Sequence, residues 1–448
     1  MKTEIDAVYM PTQGPFENPF AEAMPEFLSP QELVQRLYYM PELPPDIRSL
    51  PMTTRYRLAT TVYEAFIPLD FSVKIYNLIY QGILNSYNKK STIDVIRQTL
   101  KIRDAMNRYE VPRSNAFLSQ AISHSILGAS GVGKTSTITR VLNLFPQVIR
   151  HTEYKGQTFY CHQITYISIQ CPADCSIKSV CFQIIDEINN LLFSDAPELQ
   201  YRRNNITTDA LVAIIAQLCL THHIGVIVID EIQNILGFRK NGANEKLIRF
   251  LVQLTNETGI CVIMVGTPEV AKVFDSHQHI YRRTRGPRLS AISDMDAFYP
   301  LASALWSLQC TQKAEKMTID TASLLFKITG GIPALLAELL VLSQEEAITS
   351  GTERLTSKLI SRTAKENNFY DRAASMLKGT LDIIQDAADN CDEISPSGND
   401  RDEHSTDNGK AKRKGRPKIE RDAKDIIAAY EESGDVYYFL KQKGMVSD

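Results

Sequence analysis

The chain has 448 residues, of which 44% are hydrophobic and 23% are charged, and its formal net charge is −3. This length accommodates two or three domains, and the composition is typical of a soluble globular protein apart from one polar tail near the C-terminus. A net charge so close to zero excludes nucleic-acid binding through the charge of the whole chain. Any such binding must come from a local basic patch.

The sequence favours a cytoplasmic protein with no membrane association. The N-terminus has no apolar run of signal-peptide length. The most apolar window, residues 210–230, is interrupted by Thr221, His222 and His223, so a helix followed by a strand explains it better than a membrane span. Eight cysteines without a CxxC pair favour buried thiols in a reducing compartment. A zinc site is the alternative, although the spacing matches no common zinc finger, and it would draw on Cys161, His162, Cys171, Cys175 and Cys181.

Residues 29–109 are predicted to be helical, because apolar residues recur there at three-to-four spacing. Ser29 suits the N-cap of the first helix and Pro30 its first position. Tyrosine is frequent at positions 38, 39, 56, 63, 76, 80 and 87. Two interpretations stay open: a recognition surface for a partner, or a small helical core that covers the following domain.

Residues 120–300 alternate short β-rich runs with helical runs, which predicts a parallel sheet with crossover helices. The predicted helices include residues 135–145 and a longer one that Asp174 or Ser176 could cap. The predicted strands are residues 121–127, 163–170, 225–230 and 260–266.

A glycine-rich segment, GASGVGKT, follows the first predicted strand and matches G-x-x-x-x-G-K-[ST] at every fixed position. Such a loop offers successive backbone N–H groups to phosphate oxygens, and the positive end of the next helix points at the same anion. Lys134 is suited to the β- and γ-phosphates of ATP and Thr135 to Mg²⁺. The predicted nucleotide-binding residues are Gly128, Ala129, Ser130, Gly131, Val132, Gly133, Lys134, Thr135 and Ser136.

An acidic pair, Asp230 and Glu231, ends the third predicted strand about 95 residues after that loop. In phosphate-loop ATPases an aspartate at this position orders the Mg²⁺ shell, and the next glutamate polarises the attacking water. This spacing predicts an ATPase whose metal ligands are Thr135 and Asp230.

The C-terminal third divides into three parts. Residues 297–369 read as helices, and residues 386–407 form an acidic, polar linker that is predicted to be disordered. The basic run KAKRKGRPK then contains Gly415, Arg416 and Pro417, which suit either the minor groove of AT-rich DNA or a protein partner. The last 30 residues favour a docking peptide over a catalytic domain.

The sequence resembles the TnsC/TniB family of AAA+ target-selection ATPases, which serve TnsABC-type transposons, including CRISPR-associated ones. The resemblance spans about residues 60–375. It rests on the ordered runs QITYISIQCPADCSIKSVCFQIIDEIN, IGVIVIDEIQNI, MVGTPEVAKVF, YRRTRG and ASALWSLQ. The tail, GRPKIERDA through GDVYYFLKQKG, is similar to the family's segment that binds the endonuclease partner.

This resemblance implies an α/β AAA+ P-loop fold with a helical lid, a helical N-terminal extension and a disordered C-terminal tail. It implies an ATP- and Mg²⁺-dependent homo-oligomer, a ring or helical filament, that assembles on double-stranded DNA. The assembly would link a TnsD- or TniQ-type target selector to the transposase subunits TnsA and TnsB. AAA+ lids often carry Arg or Lys at the position of Ala334, so the resemblance also implies slow ATP hydrolysis.

The resemblance further assigns roles to single residues. Asp230 orders the metal, Glu231 activates water, and Thr267 is the first sensor, unless it merely begins a Thr-Pro turn. Either Arg282 or Arg283 would reach the γ-phosphate of a neighbouring subunit, with a solvated charge run or a phosphodiester contact as the alternatives. The candidate DNA-backbone contacts are Lys178 first, then Arg202, Arg203 and Thr207.

The predicted domain boundaries follow from these observations. They are a partner-binding N-terminal extension at 1–110, an AAA+ core at 111–296, a helical lid at 297–378, an acidic linker at 379–409 and a docking tail at 410–448. A STAND- or initiator-like nucleotide switch that acts through protein partners without DNA is the alternative function. A nuclease or transposase would need clustered carboxylates for two metals, and the sequence offers only the ATPase pair.

Overall fold

The computed structural model describes residues 4–10, 18–88, 123–192, 207–237, 243–271 and 286–378. The chain forms two compact units. The first comprises residues 1–42 and 64–290, and the second comprises residues 43–63 and 291–448. The second unit thus joins part of the predicted N-terminal extension to the predicted lid. The predicted linker and docking tail lie outside the described residues.

A five-stranded parallel sheet forms the centre of the first unit, in the order β5-β6-β7-β2-β8. Its central strands are nearly all apolar and buried on both faces, which is typical of parallel sheets covered by helices. The α/β fold that the sequence predicts is confirmed. The strands are β2 (His124–Gly128), β5 (Tyr166–Gln170), β6 (Val226–Asp230), β7 (Cys261–Gly266) and β8 (Arg288–Leu289).

Helices surround this sheet. A capping box at Ser29, with Pro30 in the first turn, confirms the predicted helix start. Tyr76, Tyr80 and Tyr87 are buried in the core of the unit, whereas Tyr38 and Tyr39 are exposed. The helices are α1 (Pro19–Glu22), α2 (Pro30–Leu37), α4 (Asp70–Asn88), α5 (Lys134–Leu142), α6 (Ile177–Leu192), α7 (Thr208–Thr221) and α8 (Ala243–Thr258).

A second sheet in the same unit was not predicted. It contains β1 (Glu4–Asp6), β3 (Val148–Tyr154) and β4 (Gln157–Ile164), with β3 and β4 as an antiparallel hairpin. The prediction of one strand over 163–170 was therefore wrong. The run breaks at Thr165, whose N–H donates to the C=O of Gln147 and whose hydroxyl donates to the C=O of Pro146, at 3.0 and 2.6 Å.

The described residues of the second unit form helices and loops, and the helices predicted over residues 297–369 are confirmed. They are α9 (Met295–Trp306), α10 (Ile319–Thr329), α11 (Pro333–Thr349) and α12 (Ser357–Glu366). Residues 369–378 are also helical. The earlier segment contributes α3 (Met52–Leu58), which packs against α11, and Ile47, which packs against Cys310 and Ile348.

Candidate functional site

The glycine-rich loop lies between β2 and α5, at the carboxyl edge of the parallel sheet. Helix α5 begins at Lys134, one residue before the predicted start, and its N-cap Gly133 has a left-handed backbone with φ 97°. A side chain at this position would be strained. The positive end of α5 therefore opens directly onto the loop, and the arrangement suits a phosphate group.

Lys134 is held over the loop. Its Nζ donates to the C=O of Gly128 at 2.7 Å and to the C=O of Ala129 at 2.8 Å. Burial lowers the pKa of Lys134, while the carboxylates of Asp230, Glu231 and Glu269 act in the opposite direction. The negative charge of these three acids favours the charged form of the ammonium group, but burial has the larger effect on its pKa.

Thr135 and Asp230 meet across the sheet edge. The Thr135 hydroxyl donates to Oδ2 of Asp230 at 2.6 Å, although 95 residues separate them. Asp230 ends β6, and its C=O accepts the N–H of Cys171 at 2.7 Å, which continues the pairing of β5 and β6 beyond the last ladder residue. A hydroxyl and a carboxylate are hard oxygen donors, so this pair fits Mg²⁺.

Glu231 is exposed and has a left-handed backbone with φ 57°. This conformation is uncommon for residues other than glycine. Its N–H donates to Oδ1 of Asp230 at 2.8 Å, and its C=O accepts the N–H of Asn234 at 3.0 Å. The Glu231 carboxylate therefore projects from a backbone that is bonded on both sides.

Thr267 directly follows β7 and precedes a short 3-10 helix, Pro268–Val270. Its N–H donates to Oε1 of Gln233 at 3.2 Å, and Nε2 of the same glutamine donates to Oε2 of Glu231. Gln233 was not predicted as a site residue. The sequence signal for it was a pair of amide side chains, Gln233 and Asn234, in the otherwise apolar turn IQNIL.

The remaining predicted site residues are dispersed. Lys178 lies near the start of α6, half-buried, with Nζ 5.9 Å from the ring centre of Phe182. Thr207 is the N-cap of α7, where its hydroxyl accepts the N–H of Ala210 at 3.3 Å. Ser176 accepts the N–H of Ser179 at 3.1 Å, which confirms it as a cap of α6. The predicted residues Arg202, Arg203, Arg282 and Arg283 lie outside the described residues.

The cysteines with described positions form no disulfide with one another, and all but Cys161 are buried. Burial raises the pKa of Cys171 and of Cys181 to about 12. In the described part of the chain, no three His, Cys, Asp or Glu side chains are grouped as a metal site. Over the same ranges no single helix is long and apolar enough to cross a membrane, although the bent pair of α10 and α11 passes by length and composition.

One family model matches the part of the chain that contains this site. Residues 119–274 match the family model described as an AAA domain, and no curated protein sequence matches the chain. Among solved structures, the Walker-type ATPase PABY2304 of Pyrococcus abyssi is 14% identical, with 66% of this chain and 76% of that chain covered and a TM-score of 0.38.

Two further structures are similar at the same level. Cdc6p from Pyrobaculum aerophilum is 18% identical, covering 60% of this chain and 66% of that chain, with a TM-score of 0.37. Domain III of the Thermotoga maritima replication initiation protein DnaA is 12% identical, covering 60% of this chain and 91% of that chain, with a TM-score of 0.32. TM-scores this low support no argument about function. On the family match and the geometry described above, the chain contains an AAA-type P-loop ATPase domain with a parallel sheet flanked by helices.

Proposed function

We propose that this chain binds ATP with Mg²⁺ at the loop of residues 128–135 and hydrolyses it. The observation that carries the proposal is the 2.6 Å hydrogen bond between Thr135 and Asp230. It brings the hydroxyl at the start of α5 against the carboxylate at the end of β6. Lys134 lies beside them, so the cation, the hydroxyl and the carboxylate that a bound nucleotide needs share one edge of the sheet.

Phosphate binding would use three features of the loop. Backbone N–H groups from Gly128 to Gly133 would face the phosphate oxygens, Lys134 would bind the β- and γ-phosphates, and the N-terminus of α5 would add its dipole. Thr135 and Asp230 would hold Mg²⁺, which offsets the negative charge of the phosphates when it is bound.

Hydrolysis would use Glu231 as the general base. The carboxylate accepts a proton from a water molecule while the water oxygen forms a bond to the γ-phosphorus. The bond from that phosphorus to the β–γ bridging oxygen breaks, and ADP and phosphate are the products. Thr267 would report on the γ-phosphate. Residue 334, in the first turn of α11, is alanine where AAA+ lids often carry Arg or Lys, and we therefore expect slow turnover.

The biological role that we propose is an ATP-dependent regulator of DNA transposition of the TnsC/TniB type. The ordered set of runs quoted above supports this role, and the AAA-type domain is the fold that it requires. The chain would form a ring or filament on double-stranded DNA, with Arg282 or Arg283 completing the neighbour's site. Lys178, Arg202, Arg203 and Thr207 would contact the DNA backbone. TnsD- or TniQ-type selectors and the TnsA and TnsB transposase subunits would be its partners, the latter through the C-terminal tail.

Two variants test the ATPase part. Glu231→Gln should retain ATP and lose hydrolysis, because the metal ligands stay and only the base is removed. Lys134→Ala should lose nucleotide binding. Both are measured by single-turnover hydrolysis and by retention of labelled ATP, and normal turnover of Glu231→Gln would refute the assignment.

Assembly separates the transposition role from a nucleotide switch without DNA. Sedimentation and electron microscopy should detect rings or filaments when ATP and duplex DNA are both present, and salt should weaken them steeply. Glu231→Gln should make these assemblies long-lived, and Lys134→Ala should abolish them. ATP-dependent assembly that ignores DNA would favour the switch, and monomers under every condition would count against both.

A further inference from the structure

Gln233 connects the proposed base to the loop that follows β7. Its Nε2 donates to Oε2 of Glu231, and its Oε1 accepts the N–H of Thr267 at 3.2 Å. Gln233 lies in a short 3-10 helix, Ile232–Gly237, and Thr267 lies 34 residues further along the chain. One amide group therefore links the ends of two neighbouring strands.

The partners of Gln233 fix the orientation of its amide. A backbone N–H group can only donate, and an ionised carboxylate can only accept. Oε1 must therefore face Thr267, and the NH₂ group must face Glu231. A flipped amide would lose both hydrogen bonds, so this side chain has one bonded orientation between its two partners.

Gly266, the last residue of β7, leaves the space that this arrangement needs. A Cβ at this position would lie 2.7 Å from Oε1 of Gln233 and 2.7 Å from Cγ2 of Ile232. Cβ atoms do not approach other atoms that closely. A side chain at residue 266 would therefore displace the amide of Gln233 or the methyl group of Ile232 from its present position.

Glu231 benefits from such a restraint because its side chain is exposed. An exposed glutamate is among the side chains with the most rotamer freedom. Its backbone is already fixed by bonds to Asp230 and Asn234. A hydrogen bond from Gln233 to the carboxylate holds the other end of the side chain.

We propose that Gln233 is a positioning residue for ATP hydrolysis, which fixes the carboxylate of Glu231 relative to the loop of Thr267. The inference rests on the proposed function, because Glu231 is taken as the base. The Glu231 carboxylate, which accepts the proton, and the loop after β7 then stay in a fixed position relative to each other. A misplacement of about 1 Å in such a group can cost about 100-fold in rate.

The first test replaces Gln233 with leucine in the full-length chain. Gln233→Leu removes both hydrogen bonds and keeps most of the volume. The expected result is a kcat that falls about 10- to 100-fold, with a KM for ATP that changes by less than about 2-fold. Gln157→Leu is the matched control, because Gln157 is exposed at the start of β4, and it should behave like the unmodified chain.

Gln233→Glu adds a readout that a purely structural role would not produce. The variant is nearly isosteric but places a second carboxylate against Glu231, and two like charges disfavour each other's ionisation. The pH profile of kcat should gain an ionisation that is absent from the unmodified chain and from Gln157→Leu. If Gln233→Leu fails to fold, this variant still carries the test.

Glu231→Gln, assayed in parallel, distinguishes the possible failures. Should it abolish hydrolysis while both Gln233 variants keep the unmodified kcat and pH profile, the inference is overturned and the proposed function stands. Loss of ATP binding in the Gln233 variants would also overturn it, since the residue would then be structural. Unchanged hydrolysis in Glu231→Gln would instead remove the proposed function itself.

Discussion

Replacing Arg55 with leucine should strongly destabilise the second unit, because this arginine is buried and fully engaged. It is 1% exposed and donates to both carboxylate oxygens of Glu353, at 2.5 and 2.6 Å. It also donates to the C=O of Leu50 at 3.0 Å and to the C=O of Cys310 at 3.2 Å. These bonds join α3 to two separate segments of the same unit.

The magnitude follows from the burial of both partners. Leucine would leave the Glu353 carboxylate, whose side chain is 13% exposed, without its counter-charge. Removing one partner of such a pair costs about 3–5 kcal/mol. The hydrogen bond from Arg55 lowers the pKa of Glu353. The pair's contribution to the free energy of unfolding is therefore fully present above the ordinary glutamate pKa, and it is lost as the pH falls through the lowered pKa of Glu353.

Trp306 makes the assay specific to this unit. It is the single tryptophan of the chain and is buried in α9. Its fluorescence during urea unfolding should show a lower midpoint for Arg55→Leu, and a second change, Glu353→Gln, should recover part of the loss. Arg362→Leu is the control in the same unit, since the side chains of Arg362 and Glu346 are 51% and 38% exposed and such pairs contribute at most about 1 kcal/mol. A loss for Arg55→Leu no larger than that bound would refute the reasoning.

Three further outcomes are expected. Burial lowers the pKa of His151 from 6.5 to about 4. The buried neutral imidazole therefore makes the free energy of unfolding up to about 3 kcal/mol larger above pH 6.5 than near pH 4. Urea titrations between these pH values should show this dependence of stability on pH, and His151→Gln should reduce it. Gly128→Ala should lower the free energy of unfolding by about 1–3 kcal/mol and weaken ATP binding, because the new Cβ would lie 2.6 Å from the C=O oxygen of Leu289. Thermal unfolding with and without ATP measures both effects. Asp230→Asn should raise the Mg²⁺ concentration needed for hydrolysis about 10- to 100-fold in Mg²⁺ titrations, and a chelator should stop hydrolysis of the unmodified chain.

The elements that could be predicted have local signals. Strands β6 and β7 are buried on both faces, so they read as continuous apolar runs. Ser29 and Pro30 mark a helix start by their own chemistry. The glycine-rich loop could be predicted from the spacing of its fixed residues. Asp230 could be predicted as a site residue from its position at the end of a strand.

The elements that could not be predicted depend on distant partners. The hairpin of β3 and β4 has an irregular alternation of buried and exposed residues, with a register shift between His151 and Glu153. Its one local signal is the turn at Lys155 and Gly156, where both residues have positive φ. Residues 43–63 are held in the second unit by long-range contacts, among them the pair of Arg55 and Glu353, which lie 298 residues apart.

The same distinction applies within the site. Thr135 and Asp230 could be expected to meet, because the carboxyl ends of parallel strands lie at one edge of a sheet. Gln233 could not be identified by type, since a glutamine after an acidic pair is ordinarily solvated. Its significance comes from Gly266, whose missing side chain lets the backbone of Thr267 reach the amide. A glutamine two residues after the proposed base, combined with glycine at the end of the next strand, is therefore the sequence pattern that would predict this connection in a chain of the same fold.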